Sequence, residues 1–375
     1  MTIGRSMAVT AALVSAIGVA IAADSGSTAT PREAIYVSNG GGSYVTIYAV
    51  GSSGDVEPAY TIDGAATGLN EPMAIAVDSS GKIYVLNESG GPRNSGSVVL
   101  FAAGSKGNVS PIATISGSDA GLFSPKAIAV DSKGNIYVSN EGGIPPGPNI
   151  ERPGGVAIYP PGSNGNVKPS AMVRGADVNM QLPCADTCCG NDTGIQNPFG
   201  IAVDPRATIF VTTTSGCPQR LGESVRVFPA GSNGNVRPGA VISGANTGLD
   251  SPAGVAVDPR GNIYVANAGG YGVGRSGFPT GIRIYTIGTN GNVPPIATIS
   301  GSNTGLSGRN VRGIALDSKE NIYITSDGRD GMESCITVFK AGSNGNVKPI
   351  AVIGGDNTGL SGAGGIAIGP YPDTR

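Results

Sequence analysis

Histidine is absent from this chain of 375 residues. No side chain therefore has an unperturbed pKa near neutrality, and every Ser-His catalytic pair and every imidazole-ligated metal site is excluded. Charge is also scarce: charged residues make up 13% of the sequence, the net charge is −2, and no run of basic residues occurs. Such a chain lacks the cluster of basic residues that is typical of proteins that bind nucleic acid or an anionic membrane surface.

Long hydrophobic runs are missing, apart from one at the N-terminus. Arg5 precedes an apolar run of about 16 residues that starts at Met7 and leads to a small-residue cleavage site near Ala22. This run is shorter than the ~20 residues that span a bilayer, so an uncleaved anchor is the weaker interpretation. We expect residues 1–23 to be a signal peptide and 24–33 a flexible leader. The mature protein is expected to be secreted or periplasmic, without membrane insertion.

The sequence is dominated instead by one repeat, which occurs six times. A segment of the form I-A-V-D-x-x-G-N-I-Y-V-x-N is followed by one of the form G-S-N-G-N-V-x-P-I-A-x-I. The period of about 53 residues favours one repeat domain, residues 34–375, over two average domains. The intact copies of the first segment are Ile75 to Asn87, Ile128 to Asn140, Ile201 to Thr213, Val255 to Asn267 and Ile314 to Ser326.

The sixth copy of the first segment is divided between the two chain ends. Ala34 to Asn39 supplies its late half, and Gly365 to Gly369 supplies its early half. Pairing of these two segments would close a ring and remove an exposed sheet edge. Since each repeat divides into four short strands, the sequence predicts an all-β fold: a six-bladed β-propeller closed by N- and C-terminal strands in one blade.

Three features of the repeat are interpreted as structural. Aspartates such as Asp131 follow each first strand and are expected to cap the turn to the second strand. The Asn-Gly pair in segments such as residues 162–166 is expected to form a primed hairpin turn between the third and fourth strands. One aromatic residue recurs on every second and third strand and is expected to pack between blades. These residues are Tyr36, Tyr48, Tyr84, Phe101, Tyr137, Tyr159, Phe210, Phe228, Tyr264, Tyr285, Tyr323 and Phe339.

The pattern P-x-G-I-A-V-D-x-x-G-N-I-Y-V-x-N resembles the NHL-repeat family of six-bladed propellers over residues 34–369. This resemblance is specific for the fold and implies little about activity. NHL-like lyases that hold zinc through histidine, and streptogramin-type lyases that use histidine as a base, are disfavoured because the chain has none.

Loop lengths divide the predicted propeller into two faces. The first-to-second and third-to-fourth connections are near copies and define a lower face, whereas the second-to-third loops and the insert at residues 176–197 vary and define an upper face. Function concentrates in variable loops on a rigid scaffold, so a protein, peptide or glycan partner is expected on the upper face. The candidate ligand-binding residues there are Lys126, Phe199, Arg312, Arg152, Arg275 and Tyr271.

Each long upper-face loop carries one arginine, and Lys126 and Arg312 map to the mouth of the central channel. Planar guanidinium groups in a ring could clamp a carboxylate, sulfate or phosphate. Ordinary loop solubility is the favoured interpretation, because neighbouring acidic residues could neutralise these cations. The loop arginines are Arg93, Arg152, Arg220, Arg275 and Arg329.

Gluconolactonase-like six-bladed enzymes are the catalytic alternative, since resemblance to them implies a divalent cation held by Glu, Asn and Asp at the channel mouth. Their P-N-G or P-D-G motif has no oxygen ligand here, and only Glu71 remains a candidate, which is interpreted as a loop carboxylate. The residues in place of the motif's middle position are Met73, Lys126, Phe199, Ala253 and Arg312.

Polar residues also end the second strands on the upper face. They could line a calcium site, but their recurrence in every blade favours capping of the loop start. No cofactor is therefore expected, with calcium as the alternative. These residues are Asn39, Asn87, Asn140, Thr213, Asn267 and Ser326.

Four of the five cysteines, Cys184, Cys188, Cys189 and Cys217, lie in upper-face inserts, and Cys335 begins the third strand of the last blade. In an exported protein these four are disulfide candidates, and Cys217 is expected to pair with one of the other three. The connectivity stays open, and the odd count leaves one thiol free or paired between chains. A thiolate metal site is not favoured, because no C-x-x-C spacing occurs.

Three functions are open from the sequence. The leading one is a non-catalytic, monomeric, exported scaffold that binds its partner through the upper-face loops. The alternative is a divergent metal-dependent gluconolactonase-like hydrolase with an oxygen-ligand cation site. A structural or envelope-associated scaffold is the third.

Overall fold

The computed structural model describes residues 32–89, 95–142, 150–151, 154–175, 178–179, 192–214, 223–269, 278–328 and 332–372. The predicted signal peptide and most of the predicted leader lie outside these residues and stay predictions. Within the described ranges, no helix is long and apolar enough to cross a bilayer.

Nearly all of the regular structure is β-strand, with short 3-10 turns between some blades. The described strands are β1 (Glu33–Asn39), β2 (Tyr44–Ala49), β3 (Tyr60–Ile62), β4 (Pro72–Val77), β5 (Ile83–Asn87), β6 (Ser97–Phe101), β7 (Ala113–Ile115), β8 (Pro125–Val130), β9 (Ile136–Asn140), β10 (Ile150–Glu151), β11 (Gly155–Tyr159), β12 (Ala171–Arg174), β13 (Val178–Asn179), β14 (Pro198–Val203), β15 (Ile209–Thr213), β16 (Ser224–Phe228), β17 (Ala240–Ser243), β18 (Pro252–Val257), β19 (Ile263–Asn267), β20 (Gly281–Tyr285), β21 (Ala297–Ser300), β22 (Asn310–Leu316), β23 (Ile322–Asp327), β24 (Cys335–Phe339), β25 (Ala351–Gly354) and β26 (Ala363–Pro370). The 3-10 turns are Ala65–Thr67, Ala245–Thr247, Ser302–Thr304 and Asp356–Thr358.

Six four-stranded antiparallel sheets form the blades. Blade 1 has the order β26-β1-β2-β3, and blades 2 to 6 are β4-β5-β6-β7, β8-β9-β11-β12, β14 to β17, β18 to β21 and β22 to β25. The first strand of each blade contacts the first strands of both neighbours, in the ring order β26, β4, β8, β14, β18, β22 and back to β26. The prediction of a six-bladed propeller is therefore confirmed.

Blade 1 joins the two ends of the chain, as the divided repeat predicts. Ala34 pairs with Gly369 and Val37 pairs with Ile366 in an antiparallel register. The hydroxyl of Tyr36 adds a hydrogen bond of 2.6 Å to the carbonyl oxygen of Pro370. Closure of the ring by β1 and β26 is thus confirmed.

The second and third strands carry the core between the blades. All twelve of the recurring aromatic residues are buried, which confirms their packing role. Their hydroxyls have partners, as buried tyrosines require. Tyr84 donates to the Asp78 carboxylate at 3.1 Å, and Tyr285 donates to the Thr247 carbonyl, in the connection from the preceding blade, at 2.6 Å.

The aspartates after the first strands cap their turns, as predicted. In blade 3, Asp131 Oδ1 accepts hydrogen bonds of 2.9 Å from the backbone N–H groups of Lys133 and Asn135. Its other oxygen accepts the Tyr137 hydroxyl at 3.1 Å. Burial alone would raise the pKa of Asp131, but the hydrogen bonds from Asn135, Lys133 and Tyr137 lower it below its ordinary value.

The predicted Asn-Gly hairpin turn is wrong. In blade 3, Ile158 pairs with Ala171, so a long loop rather than a two-residue turn connects β11 to β12. Every primed turn needs positive φ at its first central residue, and Asn164 is not among the residues with positive φ, whereas Gly165 has φ 74. Asn164 instead uses its side chain, whose Oδ1 accepts the backbone N–H of Thr114 in blade 2 at 2.9 Å.

This loop fastens each blade to the preceding one, and we call it the inter-blade latch. In blade 3 it comprises residues 162–167: Gly165 forms a parallel bridge to Ile115, and its N–H donates to the Thr114 carbonyl at 2.7 Å. Asn166 Oδ1 then accepts the backbone N–H of Asp119 at 2.8 Å. Every blade repeats the parallel bridge. The equivalents of Asn166 are Asp55, Asn108, Asn235, Asn292 and Asn346, at 2.7 to 2.8 Å from their donors.

One small sheet is not predicted from the repeat. Strand β10 pairs with β13, which joins the second-to-third loop of blade 3 to the connection between blades 3 and 4. These are the two longest upper-face loops in the sequence, so part of the variable face has regular structure.

The latch predicts a specific loss of stability. Asn166→Ala removes the acceptor for the Asp119 N–H and should lower the free energy of unfolding by about 1 kcal/mol, as for other single hydrogen bonds. Asp119→Ala is the matched control, because it keeps the backbone donor and removes only an exposed side chain. Denaturant unfolding measures both variants; equal stabilities would contradict the role given to Asn166.

The seam in blade 1 predicts a larger effect. Deletion of residues 365–375 removes most of β26, so β1 loses one of its two neighbouring strands, and β4 and β22 lose a strand that packs between them. We expect a markedly lower melting temperature, or aggregation through the exposed edge. A truncated chain that melts at the temperature of the full chain would show that closure does not stabilise the ring.

Candidate functional site

The first strand of every blade contains a β-bulge near its start. In blade 3, Pro125 pairs with Asn140 and Ala127 with Ser139, so Lys126 is the extra residue. The other blades shift register at the same place. Because a bulge re-aims its side chain, each blade presents one residue near the upper end of the channel. The six residues are Gly364, Met73, Lys126, Phe199, Ala253 and Arg312.

Small residues follow the bulge because neighbouring first strands approach closely. A Cβ atom on Gly200 would lie 2.4 Å from the carbonyl oxygen of Ala253 in the next blade. The hydroxyl of Thr212 fixes this approach: it accepts the Gly200 N–H at 2.7 Å and donates to the Ala253 carbonyl at 2.5 Å. Hydroxyls at the equivalent position in other blades belong to Ser38, Ser139 and Thr325.

A cavity of about 840 Å³ opens at this end of the channel, and residues of all six blades line it. The volume lies in the range of small-ligand sites, about 300–1,000 Å³. Met73, Phe199, Met332 and Leu360 give it an apolar surface, and five of the six bulge residues belong to its lining. The cavity, which we call the mouth cavity, is the candidate binding site.

Lys126 lies at the mouth, as predicted, but it is already paired. Its ammonium group is 3.2 Å from Glu88 and 3.2 Å from Glu141, and its side chain is 16% exposed. Both carboxylates lie on the loops that leave the second strands of blades 2 and 3. Lys126 is therefore enclosed by negative charge and is not poised as an anion clamp.

Arg312 and Phe199 lie together on the other side of the mouth. The Arg312 guanidinium bonds Asp327 Oδ2 at 2.9 Å through Nε and through one terminal nitrogen. Its central carbon is 5.4 Å from the centroid of the Phe199 ring, within the range of a cation–π contact. The structure thus brings together two of the predicted site residues.

The described lining of the mouth cavity is acidic rather than basic. It holds two cations, Lys126 and Arg312, against five carboxylates. The carboxylates are Glu71, Glu88, Asp327, Glu333 and Asp356. The other predicted ligand residues, Arg152, Arg275 and Tyr271, lie outside the described residues, as do Arg93, Arg220 and Arg329.

The amides that end the second strands are structural, although they cap a different loop from the predicted one. Asn87 Oδ1 accepts the N–H of Asn70 at 3.1 Å, and Asn267 Oδ1 accepts that of Asp250 at 2.7 Å. Each therefore holds the chain that enters the first strand of its own blade. This use of their oxygens favours the structural interpretation of these amides over the calcium site considered above.

Glu71 lies in the mouth cavity, where its carboxylate accepts a hydrogen bond of 2.6 Å from the Ser89 hydroxyl. Its φ of 49° is in the left-handed region. The residues before the first strands of blades 3, 4 and 5 share this conformation, so it belongs to the repeat. Among the described residues, no group of three Cys, Asp or Glu side chains is placed to hold a metal ion.

Cys335 is buried at the start of β24, and its thiol is free. Its burial argues against a disulfide between chains at this position. The disulfide candidates Cys184, Cys188, Cys189 and Cys217 lie outside the described residues, and their pairing stays a prediction.

Sequence analysis missed two buried arginines, Arg226 on β16 and Arg283 on β20. They are 4% and 2% exposed, and burial lowers the pKa of Arg226 to about 10. The repeat itself could have revealed these arginines, because the other four blades have a small or apolar residue at the equivalent position of the third strand. Those residues are Thr46, Val99, Ala157 and Thr337.

Comparison with known proteins supports the fold. No protein-family model and no curated protein matches the chain. The chain is similar to a solved structure of a candidate 6-phosphogluconolactonase from Bacteroides uniformis, at 15% identity over 86% of this chain and 82% of that one, with a TM-score of 0.50. Weaker similarity links it to AztD from Citrobacter koseri (14% identity, 90% and 98% coverage, TM-score 0.43) and to a gluconolactonase from Xanthomonas campestris (16%, 76% and 76%, 0.41). At sequence identities this low, the activities of these proteins cannot be assigned to this chain.

The channel wall yields a prediction. Thr212→Val removes the hydroxyl that bonds the buried Gly200 N–H and the Ala253 carbonyl, and should destabilise the fold by about 1–3 kcal/mol. Thr212→Ser keeps the hydroxyl and should lose much less. Thermal unfolding compares the two; a valine variant as stable as the serine variant would contradict the bridging role.

Proposed function

We propose that the protein is an exported binding scaffold of the NHL-like propeller type, and that its ligand enters the mouth cavity on the upper face. The observation that carries this proposal is the contrast between the repeated and the unrepeated positions. Latch amides, turn aspartates and aromatic residues recur from blade to blade and bond the ring to itself. The bulge residues occupy one repeat position but differ in every blade.

The charges of the described lining support a ligand with positive charge. An anion at the mouth would have to displace Glu88 and Glu141 from Lys126, or Asp327 from Arg312, and both exchanges cost ion pairs already formed. A cation meets the excess of carboxylates instead. Beside them, Met73 and Phe199 offer apolar surface. The ligand class that fits is a peptide segment with a basic and an apolar or aromatic side chain.

Binding of short fluorescent peptides tests this proposal. Three peptides of equal length, one basic, one neutral and one acidic, each with one aromatic residue, are titrated with the protein and followed by anisotropy. We expect the basic peptide to bind best and its affinity to fall with added salt. Glu88→Gln should weaken its binding by roughly tenfold through the loss of a charge-assisted hydrogen bond, and Phe199→Ala should weaken it through the loss of apolar and aromatic contact.

Lys133→Gln is the control variant, because Lys133 is exposed on a lower-face turn. Preference for the acidic peptide, or equal weakening by Lys133→Gln, would overturn the assignment of the ligand to the mouth cavity. Calorimetric titration with calcium forms a separate arm. Calcium binding together with hydrolysis of a sugar lactone would favour the gluconolactonase-like alternative.

A further inference from the structure

Blade 5 holds a buried charge pair that makes no direct hydrogen bond. Asp250, in the connection that enters β18, is 1% exposed, and neither of its carboxylate oxygens has a hydrogen-bond partner. Arg283 on β20 is 2% exposed and attracts Asp250 electrostatically. Its N–H groups donate instead to the carbonyl oxygens of Gly248 at 3.0 Å, Pro279 at 2.9 Å and Ile282 at 3.5 Å.

A third buried group beside this pair also lacks a partner. Asn267 lies next to Asp250, because its Oδ1 accepts the Asp250 backbone N–H at 2.7 Å. Its Nδ2 group, fully buried, makes no hydrogen bond. Buried polar atoms in folded proteins are nearly always satisfied, by protein or by ordered water. Three unsatisfied atoms on two residues that are joined by a hydrogen bond therefore indicate a missing partner.

Blade 2 shows why the partner is missing in blade 5. There the equivalent amide, Asn87 Nδ2, donates to the Gly68 carbonyl at 2.9 Å and lies 3.0 Å from the Ser97 hydroxyl. In blade 5, Gly281 replaces that serine in the pairing register. Arg283, in place of Val99, takes the equivalent carbonyl, that of Gly248. Two changes in the repeat thus remove both acceptors of Asn267 Nδ2.

We propose that Asp250 and Asn267 form an internal binding site for one water molecule. The bound molecule must accept one hydrogen bond, from Asn267 Nδ2, and must donate two, one to each oxygen of the Asp250 carboxylate. Water has this capacity, and ordered water is the usual partner of buried polar groups that no protein group satisfies. A metal cation would face the amide N–H and the guanidinium of Arg283, and an anion would face the Asp250 carboxylate.

The proposed site lies where two chain segments meet on the upper face. The Asp250 carbonyl accepts the Gly269 N–H at 3.0 Å, and the Ser251 carbonyl accepts the Ala268 N–H at 3.1 Å. The site therefore joins the chain entering β18 to the start of the blade 5 loop, residues 268–280. This inference does not depend on the proposed function.

The double variant Asp250→Leu/Arg283→Val tests the site, because it removes both buried charges and gives blade 5 the side chain that blade 2 has at the second position, Val99. With Arg283 gone, Asn267 Nδ2 can donate to the Gly248 carbonyl, and the water loses its hydrogen-bond partners. Oxygen-17 magnetic relaxation dispersion counts long-lived internal waters in solution. We expect one fewer in the folded double variant than in the wild type; an unchanged count would overturn the proposal.

A high-resolution crystal structure of the wild type keeps the proposal testable if the double variant does not fold. A single water within hydrogen-bond distance of Asp250 and Asn267 Nδ2 would support it. An empty site, or density with the anomalous signal or coordination of an ion, would overturn it.

Discussion

Each blade of this propeller satisfies backbone groups of the blade before it. The Gly of the latch pairs with the last strand of the preceding blade. The next residue, an asparagine or in blade 1 Asp55, accepts a backbone N–H from the turn that follows that strand. A blade on its own would leave those groups to water, so the repeat is stable only as a ring. In blade 1 the latch residues Gly54 and Asp55 reach blade 6. The seam is therefore held at its inner edge by β26 and at its outer edge by the latch.

A ring fixed in this way leaves few positions free for a ligand. Tyrosine hydroxyls, turn carboxylates and strand-end amides are engaged within the repeat, and the wall hydroxyl of Thr212 is engaged between blades. The bulge residues are different, since their backbone geometry is repeated while their side chains are not. The chemistry of the mouth cavity therefore depends on substitutions that the scaffold tolerates without changing shape.

The sequence predicted what is encoded within one repeat. The divided copy predicted that the segment from Ala34 to Asn39 pairs with that from Gly365 to Gly369, and both Lys126 and Arg312 lie in the lining of the mouth cavity, where their repeat position put them. The sequence-based prediction failed for side chains whose hydrogen-bond or ion-pair partner lies in another segment of the chain. Asn164 was interpreted by its Gly neighbour, but its partner Thr114 is 50 residues earlier in the chain. The neutralising partners of Lys126 come from two different loops, and the repeat does not reveal their distance from it.

The construction of blade 1 also sets an order of events in synthesis. Strands β1 to β3 leave the ribosome first, but their sheet gains its inner strand only from Ala363–Pro370, close to the end of the chain. The hydroxyl of Tyr36 bonds the carbonyl oxygen of Pro370, which lies 334 positions later in the chain. Contacts of such long range make closure a late step in folding. The sheet of blade 1 therefore keeps an unpaired inner edge until almost the whole of this sequence has been synthesised.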